Sequence, residues 1–212
     1  MQLKAIILSI LFCGVHCKLI ELSCHDIRLF VDGHNSRRLL VAKGEVDKQP
    51  AATNMNYLVW DNELAMKAAK WASVYKHSNN PDTDVDTQRF NTGHNLYWYS
   101  TTDRIFKFSP TQALHSWFEE EHKNYRFGKI GKSLQPETGR YTQFVWADTT
   151  HVGCAVSKFH REIWAQYFVV CYYGPGGNIE GKLPYKRGKK LRTRELQCTD
   201  ERCQQPYGKR CS

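Results

Sequence analysis

Cysteine usage limits what this chain can fold into more than any other feature. Residues 1–17 read as a leader for export. Lys4 gives a positive start, Ala5 to Phe12 form a short apolar run, and Gly14-Val15-His16-Cys17 precedes a cut before Lys18. The run is too short to span a bilayer, and no later stretch is apolar enough to do so. Cleavage removes Cys13 and Cys17 and leaves Cys24, Cys154, Cys171, Cys198, Cys203 and Cys211. An even set of cysteines in an oxidising compartment implies three disulfides. Zinc is a poor alternative for them, because no paired CxxC spacing exists. The expected product is secreted and extracellular, and without an Asn-x-Ser/Thr sequon it is not N-glycosylated.

The net charge of +9 is unevenly placed. Residues 182–212 carry ten basic and three acidic residues, while 18–181 are nearly neutral. The chain therefore divides into a leader at 1–17, a globular body at 18–181 and a basic, cysteine-containing extension at 182–212. In the extension Lys186, Arg187, Lys189, Lys190, Arg192 and Arg194 form a dense cationic run with Lys182. Such a run suits a polyanion, such as heparan sulfate or an anionic membrane. Nucleic acid is set aside for a secreted protein. The plainer alternative is a solubilising linker.

Periodicity places helices before strands. Ile27, Phe30, Val31 and His34 recur at helical spacing within 24–43, and Gly44 is a natural stop. Asp61 reads as the N-cap of a helix whose apolar face is Leu64, Ala68, Trp71, Ala72 and Tyr75. Ser109-Pro110 opens a third helix, with Ala113, Leu114, Trp117 and Phe118 inward. Three β-rich runs follow, Tyr141 to Ala147, Val152 to Lys158 and Ile163 to Tyr173, and predict an antiparallel sheet. Beyond Gly174-Pro175-Gly176-Gly177 the chain reads as irregular. The fold class is α+β, with helices packed on the sheet. Met55 and Met66 read as packing residues, and Tyr97-Trp98-Tyr99 as core rather than a ligand groove. Asp82, Asp84 and Asp86 alternate as calcium ligands can, but their loop lacks the glycine and terminal Glu of an EF-hand.

Two segments, Gly139-Arg140-Tyr141-Thr142-Gln143-Phe144-Val145-Trp146 and Cys171-Tyr172-Tyr173-Gly174-Pro175-Gly176-Gly177-Asn178, resemble the signatures of the CAP superfamily of cysteine-rich secretory proteins, antigen 5 allergens and pathogenesis-related proteins. His34-Asn35-Ser36-Arg37-Arg38 resembles the family's HNxxR segment, and Ala51-Ala52-Thr53-Asn54-Met55 its AxNM loop. Leu58 to Ala65, running on to Trp71-Ala72, resembles its second helix, and Gly93-His94-Asn95-Leu96-Tyr97 a GENLY-like turn. The resemblance spans roughly residues 24–185 and implies a three-layer α/β/α sandwich. Many family members carry a cleft tetrad of two His and two Glu suited to a divalent ion. Carried over position by position, the tetrad falls on His77, His94, Glu120 and Arg140. Counting back from Tyr125 instead of on from Trp117 would give Glu121 in place of Glu120.

A guanidinium stays protonated and does not ligate metal. The resemblance therefore implies a cleft in which Arg140 pairs with that Glu, with no cofactor and no metal. All six cysteines are committed to disulfides, and Ser78 beside His77 has no triad partner, so no enzyme activity is expected. The antigen 5 likeness implies a Cys154–Cys171 bridge. Analogy with the hinge of the cysteine-rich secretory proteins implies Cys24–Cys203 with Cys198–Cys211. The expected role is a non-enzymatic, antigen-5-like binding protein acting on an extracellular protein, a glycosaminoglycan or a lipid. The alternatives are a lipid or sterol carrier and a metal-dependent hydrolase.

Overall fold

The computed structural model describes residues 18–74, 89–132, 137–199 and 201–211. The leader, Tyr75, His77, Ser78, Asp82, Asp84 and Asp86 lie outside the described residues. Strands β1 (Lys18–Ile20), β5 (His151–Arg161), β6 (Trp164–Gly174) and β4 (Gly93–Thr101) lie side by side in that order and pair antiparallel. A short β3 (Val59–Trp60) pairs parallel to β5.

The second and third helices form where their caps at Asp61 and Ser109 predict, and the first has a cap that its periodicity does not announce. The hydroxyl of Ser23 and the carboxylate of Asp26 close a reciprocal capping box on α1 (Cys24–Lys43). Gly44, with φ of 74°, ends it in the left-handed conformation that glycine adopts without a Cβ clash. Asp61 Oδ1 accepts from the amides of Glu63 and Leu64 at the start of α2 (Asn62–Val74). Ser109 caps α3 (Pro110–His115), which runs on into a π-helical turn at Ser116–Glu120.

Alternation along β5 and β6 gives the sheet two apolar faces. Cys154, Val156, Val169 and Cys171 face α1 and α3 through Phe30, Val31, Leu114 and Trp117. Ala155, Phe168, Val170 and Tyr172 face α2 through Leu64, Ala68, Trp71 and Ala72. The result is the expected α+β fold, with helices on both faces of a central sheet. Gly153 sets how closely α2 approaches: a Cβ there would run into the backbone of Asp61 and Ala65.

Two segments differ from their sequence reading. Residues 139–144 form a short helix, α4 (Gly139–Phe144), not the first strand of the sheet. Tyr, Thr and Phe favour strands, but here Tyr141, Thr142, Gln143 and Phe144 are all buried and tied by tertiary contacts. Thr142 donates to Asn178 Oδ1, and Gln143 Oε1 accepts from the Gly177 amide. Gly93 to Tyr97 is no turn but the start of nine-residue β4, paired throughout with β6. Within it Asn95 is buried and donates to Arg140 O and Tyr173 Oη. Met66 is 60% exposed rather than a packing residue, while Met55 is buried as expected. Tyr97 and Tyr99 pack on one core and Trp98 stacks on Phe168 in the other.

The bridge Cys154–Cys171 forms across β5 and β6 as expected. The other two pairs are Cys24–Cys211 and Cys198–Cys203, not Cys24–Cys203 and Cys198–Cys211. Only five positions separate Cys198 from Cys203, and the short helical turn Glu201–Gln204 folds the chain back between them. Cys24 then meets Cys211, which is nearly fully buried beside the start of α1.

At the centre lies Arg38, fully buried on α1. Its Nε donates to Asn56 O, Nη1 to Phe144 O and Trp146 O, and Nη2 to Ala147 O and Thr149 O, at 2.8–3.3 Å. Burial lowers its pKa to about 9, partly offset by Tyr173 and Asp148, so it remains a cation at neutral pH. Replacing Arg38 with Met should cost about 3–5 kcal/mol, because five carbonyls lose a charged donor at once and only Trp146 O and Ala147 O keep a backbone one. Urea unfolding of both forms checks this, and a change under 1 kcal/mol would contradict the central role of the residue.

One turn earlier, His34 Nδ1 lies 2.7 Å from Phe30 O, and Nε2 lies 2.9 Å from Tyr173 Oη. With the Asn95 amide donating to that hydroxyl, the consistent tautomer is neutral, with Nδ1–H donating. Burial lowers the His34 pKa to about 3, opposed by the Phe30 carbonyl and helped by Arg38 and Arg37. The unfolded chain therefore takes up a proton below its ordinary His pKa while the folded chain does not, and stability falls as pH drops from about 6.5 toward 3. At pH 5 the loss should be roughly 2 kcal/mol from this residue. Unfolding midpoints across pH should show that slope, and His34→Gln should flatten it.

Candidate functional site

The cleft floor is built where the π-helical turn, α4 and β4 meet. Glu121 is buried, with its side chain 5% exposed. Its Oε1 takes a close contact from Arg140 Nε, and Oε2 accepts from the Tyr141 amide at 2.9 Å. Burial raises the Glu121 pKa, while the Tyr141 amide and Arg140 pull it back toward the ionised form. Glu120 is not in the cleft. Its side chain is 59% exposed and meets His115 and Ser116. Glu119 reaches Arg37 on α1. One of the three acids thus turns inward, as expected, but it is the third.

The π-helical turn explains the displacement. It carries more residues per turn than an α-helix, so a count run forward from Trp117 at ordinary spacing stops one position early. The count back from Tyr125 avoids the bulge and reaches Glu121. Trp117 is itself fixed by its indole N–H to Leu96 O at 2.9 Å.

His94 does not join this pair. Its β4 neighbour Asn95 faces α4 and holds Arg140 by its carbonyl, whereas His94 points to the α2 face. There its ring sits 4.8 Å from Trp71 and 5.9 Å from Tyr172. Burial lowers the His94 pKa, and Lys67 adds to the effect, so the imidazole is neutral at neutral pH. His77 lies outside the described residues. A divalent ion does not fit Arg140 and Glu121: one is a cation without a lone pair to give, and the other already has both oxygens engaged. Among the described residues no three of His, Cys, Asp and Glu gather as a ligand set.

The basic extension is strapped to the body. Strand β7 (Arg187–Gly188) pairs with β2 (Ala51–Ala52), and Lys186 N and O bond Asn54 Oδ1 and the Thr53 amide. Downstream, Gln197 N donates to Met55 O, and Pro206 O accepts from the Trp60 amide. Lys186, Arg187, Lys189, Lys190 and Arg192 are exposed on this fixed backbone. Arg194 differs: it is half-buried and donates to Ala52 O and Lys189 O, so it fastens the strap. Beside β1, α1 and α2 lies a groove of about 540 Å³. Leu19, Leu22, Ile27, Ala65 and Met66 line it, with Arg210 at the rim.

The model of the cysteine-rich secretory protein family, CAP, matches residues 31–173. The chain belongs to the CAP family. Venom allergen 5 of Vespula vidua is 38% identical over 160 residues, covering 73% of this chain and 76% of that protein. Among solved structures, NaASP2 with Zn²⁺ is similar at a TM-score of 0.63 and 30% identity, covering 79% of this chain and 88% of the other. Schistosoma mansoni venom allergen-like protein 4 is similar at a TM-score of 0.60 and 28% identity, covering 77% and 95%. Among the described residues of this CAP chain, no helix is long and apolar enough to cross a membrane.

The Arg140–Glu121 pair makes a pH-dependent prediction. Because the folded pKa of Glu121 is raised, its contribution to stability falls as pH rises from the ordinary carboxyl range through the raised value. Arg140→Ala removes the counter-charge and moves that fall further up. The variant should lose about 1–3 kcal/mol at pH 7.5 and less at pH 4.5, where protonation of Glu121 removes part of the charge that Arg140 faces. The Arg140 side chain is 43% exposed, so solvent screening favours the lower half of that range. Denaturant titrations at the two pH values decide it, and an equal loss at both would separate Arg140 from the charge of Glu121.

Proposed function

We propose that this chain is an exported, non-enzymatic binding protein of antigen-5-like type whose principal ligand is an extracellular polyanion of the glycosaminoglycan class. The observation that carries the reading is the basic strap, whose backbone is held by β2 and the 53–56 segment while five cations project to solvent. Holding the backbone lowers the ordering entropy that a free tail would lose on binding. Counterion release then supplies affinity with little demand on sequence and with steep salt dependence. A non-enzymatic role is supported by the cleft, where Arg140 engages the one inward carboxylate. It is further supported by the commitment of all six cysteines in the described chain to disulfides. NaASP2 has been solved with Zn²⁺. Here Arg140 argues against a metal-dependent hydrolase.

The protein should be retained on heparin at low salt and elute as sodium chloride rises. Replacing Lys186, Arg187, Lys189 and Lys190 together with Ala should remove most of the retention and reduce the log–log salt slope by roughly three to four, about one per cation. Arg194→Ala should instead act on stability, because its contacts are backbone carbonyls. Co-elution of the quadruple variant with wild type would sink the polyanion reading.

The apolar groove beside α2 favours a second reading, a lipid or sterol carrier. Its size and mainly aliphatic lining suit a small amphipathic ligand. Extraction of the purified protein with organic solvent, followed by mass spectrometry, should then release a stoichiometric lipid. A Met66→Arg variant should release none.

A further inference from the structure

The hairpin of β5 and β6 ends in a turn that breaks the usual chemistry of tight turns. Arg161 pairs with Trp164, so the loop is just Glu162 and Ile163. Two-residue hairpin loops favour Gly, Asn and Asp, because at least one position takes positive φ. Here Glu162 holds φ of 54°, and the next residue is a β-branched apolar side chain. Ile163 is 73% exposed, Trp164 is 43% exposed, and Ile105 on the adjoining loop is 86% exposed. Local rules broken at an exposed tip, with no compensating burial, mark a functional surface better than a structural one.

The tip is also rigid and charged. Tyr99 stacks on Phe106 at 4.8 Å, and Tyr167 packs edge-on to Phe106 and stacks on Phe108. Thr101 Oγ1 and Asp103 Oδ1 accept from the amides of Asp103 and Ile105, which fixes the neighbouring loop. Beside Ile163 opens a recess of about 530 Å³, whose lining includes Thr101, Thr102, Arg104, Lys158 and His160. The cations Arg104, Lys107, Lys158 and Arg161 outnumber the anions Asp103 and Glu162 in these two segments.

We propose that this hairpin tip docks onto an anionic phospholipid bilayer, with Ile163, Trp164 and Ile105 entering the interfacial layer and Arg104, Lys158 and Arg161 facing the headgroup phosphates. The combination of exposed aliphatic and indole side chains with a basic rim is what the headgroup boundary solvates best. A stable protein interface needs about 1,000 Å² or more of buried surface, beyond what three projecting side chains and a small recess supply. In the recess Thr101, Thr102, Arg104, Lys158 and His160 offer hydroxyl and basic groups to a headgroup phosphate, beside the carboxylates of Asp103 and Glu162 and the apolar Ile163 and Ala165. This surface is separate from the basic strap and from the apolar groove, and it stands whether or not either of those binds its ligand.

The test uses the exported chain with vesicles of phosphatidylcholine alone or with about one third phosphatidylserine, a proportion chosen to give a strongly negative surface. Co-sedimentation should show at least tenfold stronger partitioning to the anionic vesicles. Lipid brominated near the headgroup should quench part of the tryptophan emission, and Trp164→Phe should remove that part. Ile163→Asp should weaken partitioning tenfold or more with an unchanged melting curve, since the residue is exposed. The quadruple strap variant at Lys186, Arg187, Lys189 and Lys190 should still bind. Equal binding by wild type and Ile163→Asp would overturn the proposal, as would quenching that survives in Trp164→Phe. Loss of binding in the strap variant alone would assign the membrane affinity to the extension and likewise overturn it. Should Ile163→Asp fail to fold, the quenching arm still decides.

Discussion

A single buried guanidinium holds together parts of the chain that no strand pairing joins. Arg38 extends from α1 into the turn after α4 and takes up the carbonyls of Phe144, Trp146, Ala147 and Thr149, together with that of Asn56. Those carbonyls lie outside the sheet and helix ladders, and only Trp146 O and Ala147 O also accept from a backbone amide. Five N–H donors in one planar group match five acceptors, which a lysine or a pair of amides cannot do. The desolvation of a full charge is accepted because without it the carbonyls of Asn56, Phe144 and Thr149 lose their donor, and those of Trp146 and Ala147 keep only the Thr149 and Asn56 amides. Position of α4, and with it of Arg140, follows from this contact.

The neighbouring residues of α1 extend the same logic. Asn35 exchanges two hydrogen bonds with the backbone of Leu58, and His34 joins Phe30 to Tyr173 on β6. One helix face thus fixes the 56–60 segment, the end of β6 and the turn beyond α4. The cleft inherits its rigidity from that arrangement. Glu121, held by the Tyr141 amide and by Arg140, lies within a frame whose position is set by polar contacts on α1 rather than by the cleft itself.

Much of this was legible in the residues. Capping side chains at Asp61 and Ser109 act within a few positions, so local sequence announces them. Strands β5 and β6 show themselves because long runs of Val, Phe, Tyr and Trp are buried on both faces. Residues 141–147 misled because their composition favours strands while their environment, a pocket of polar loop contacts from 174–178, selects a helix. Glu121 was ambiguous because a π-helical turn changes the register and no residue type betrays it. The pairing of Cys24, Cys198, Cys203 and Cys211 depends on where a long, weakly patterned extension is laid down. That path is set by scattered contacts such as Arg28 to the Cys211 carbonyl and Tyr207 to Asp32, which carry no periodic signal.

The Cys24–Cys211 bridge turns nearly the whole described chain into one covalent ring. Tension applied at Cys24 and Cys211 passes through a single sulfur–sulfur bond and does not load the residues between them. Held by those points, the molecule behaves as an inextensible link, with its hydrophobic layers mechanically shielded until the disulfide is reduced. Reduction of that bridge passes the load to the fold itself, in which Cys154–Cys171 and Cys198–Cys203 still close loops of 17 and 5 positions. A chain tethered at these two points would thus change, on thiol exchange, from a rigid strut to a link whose resistance is that of its hydrogen bonds and core.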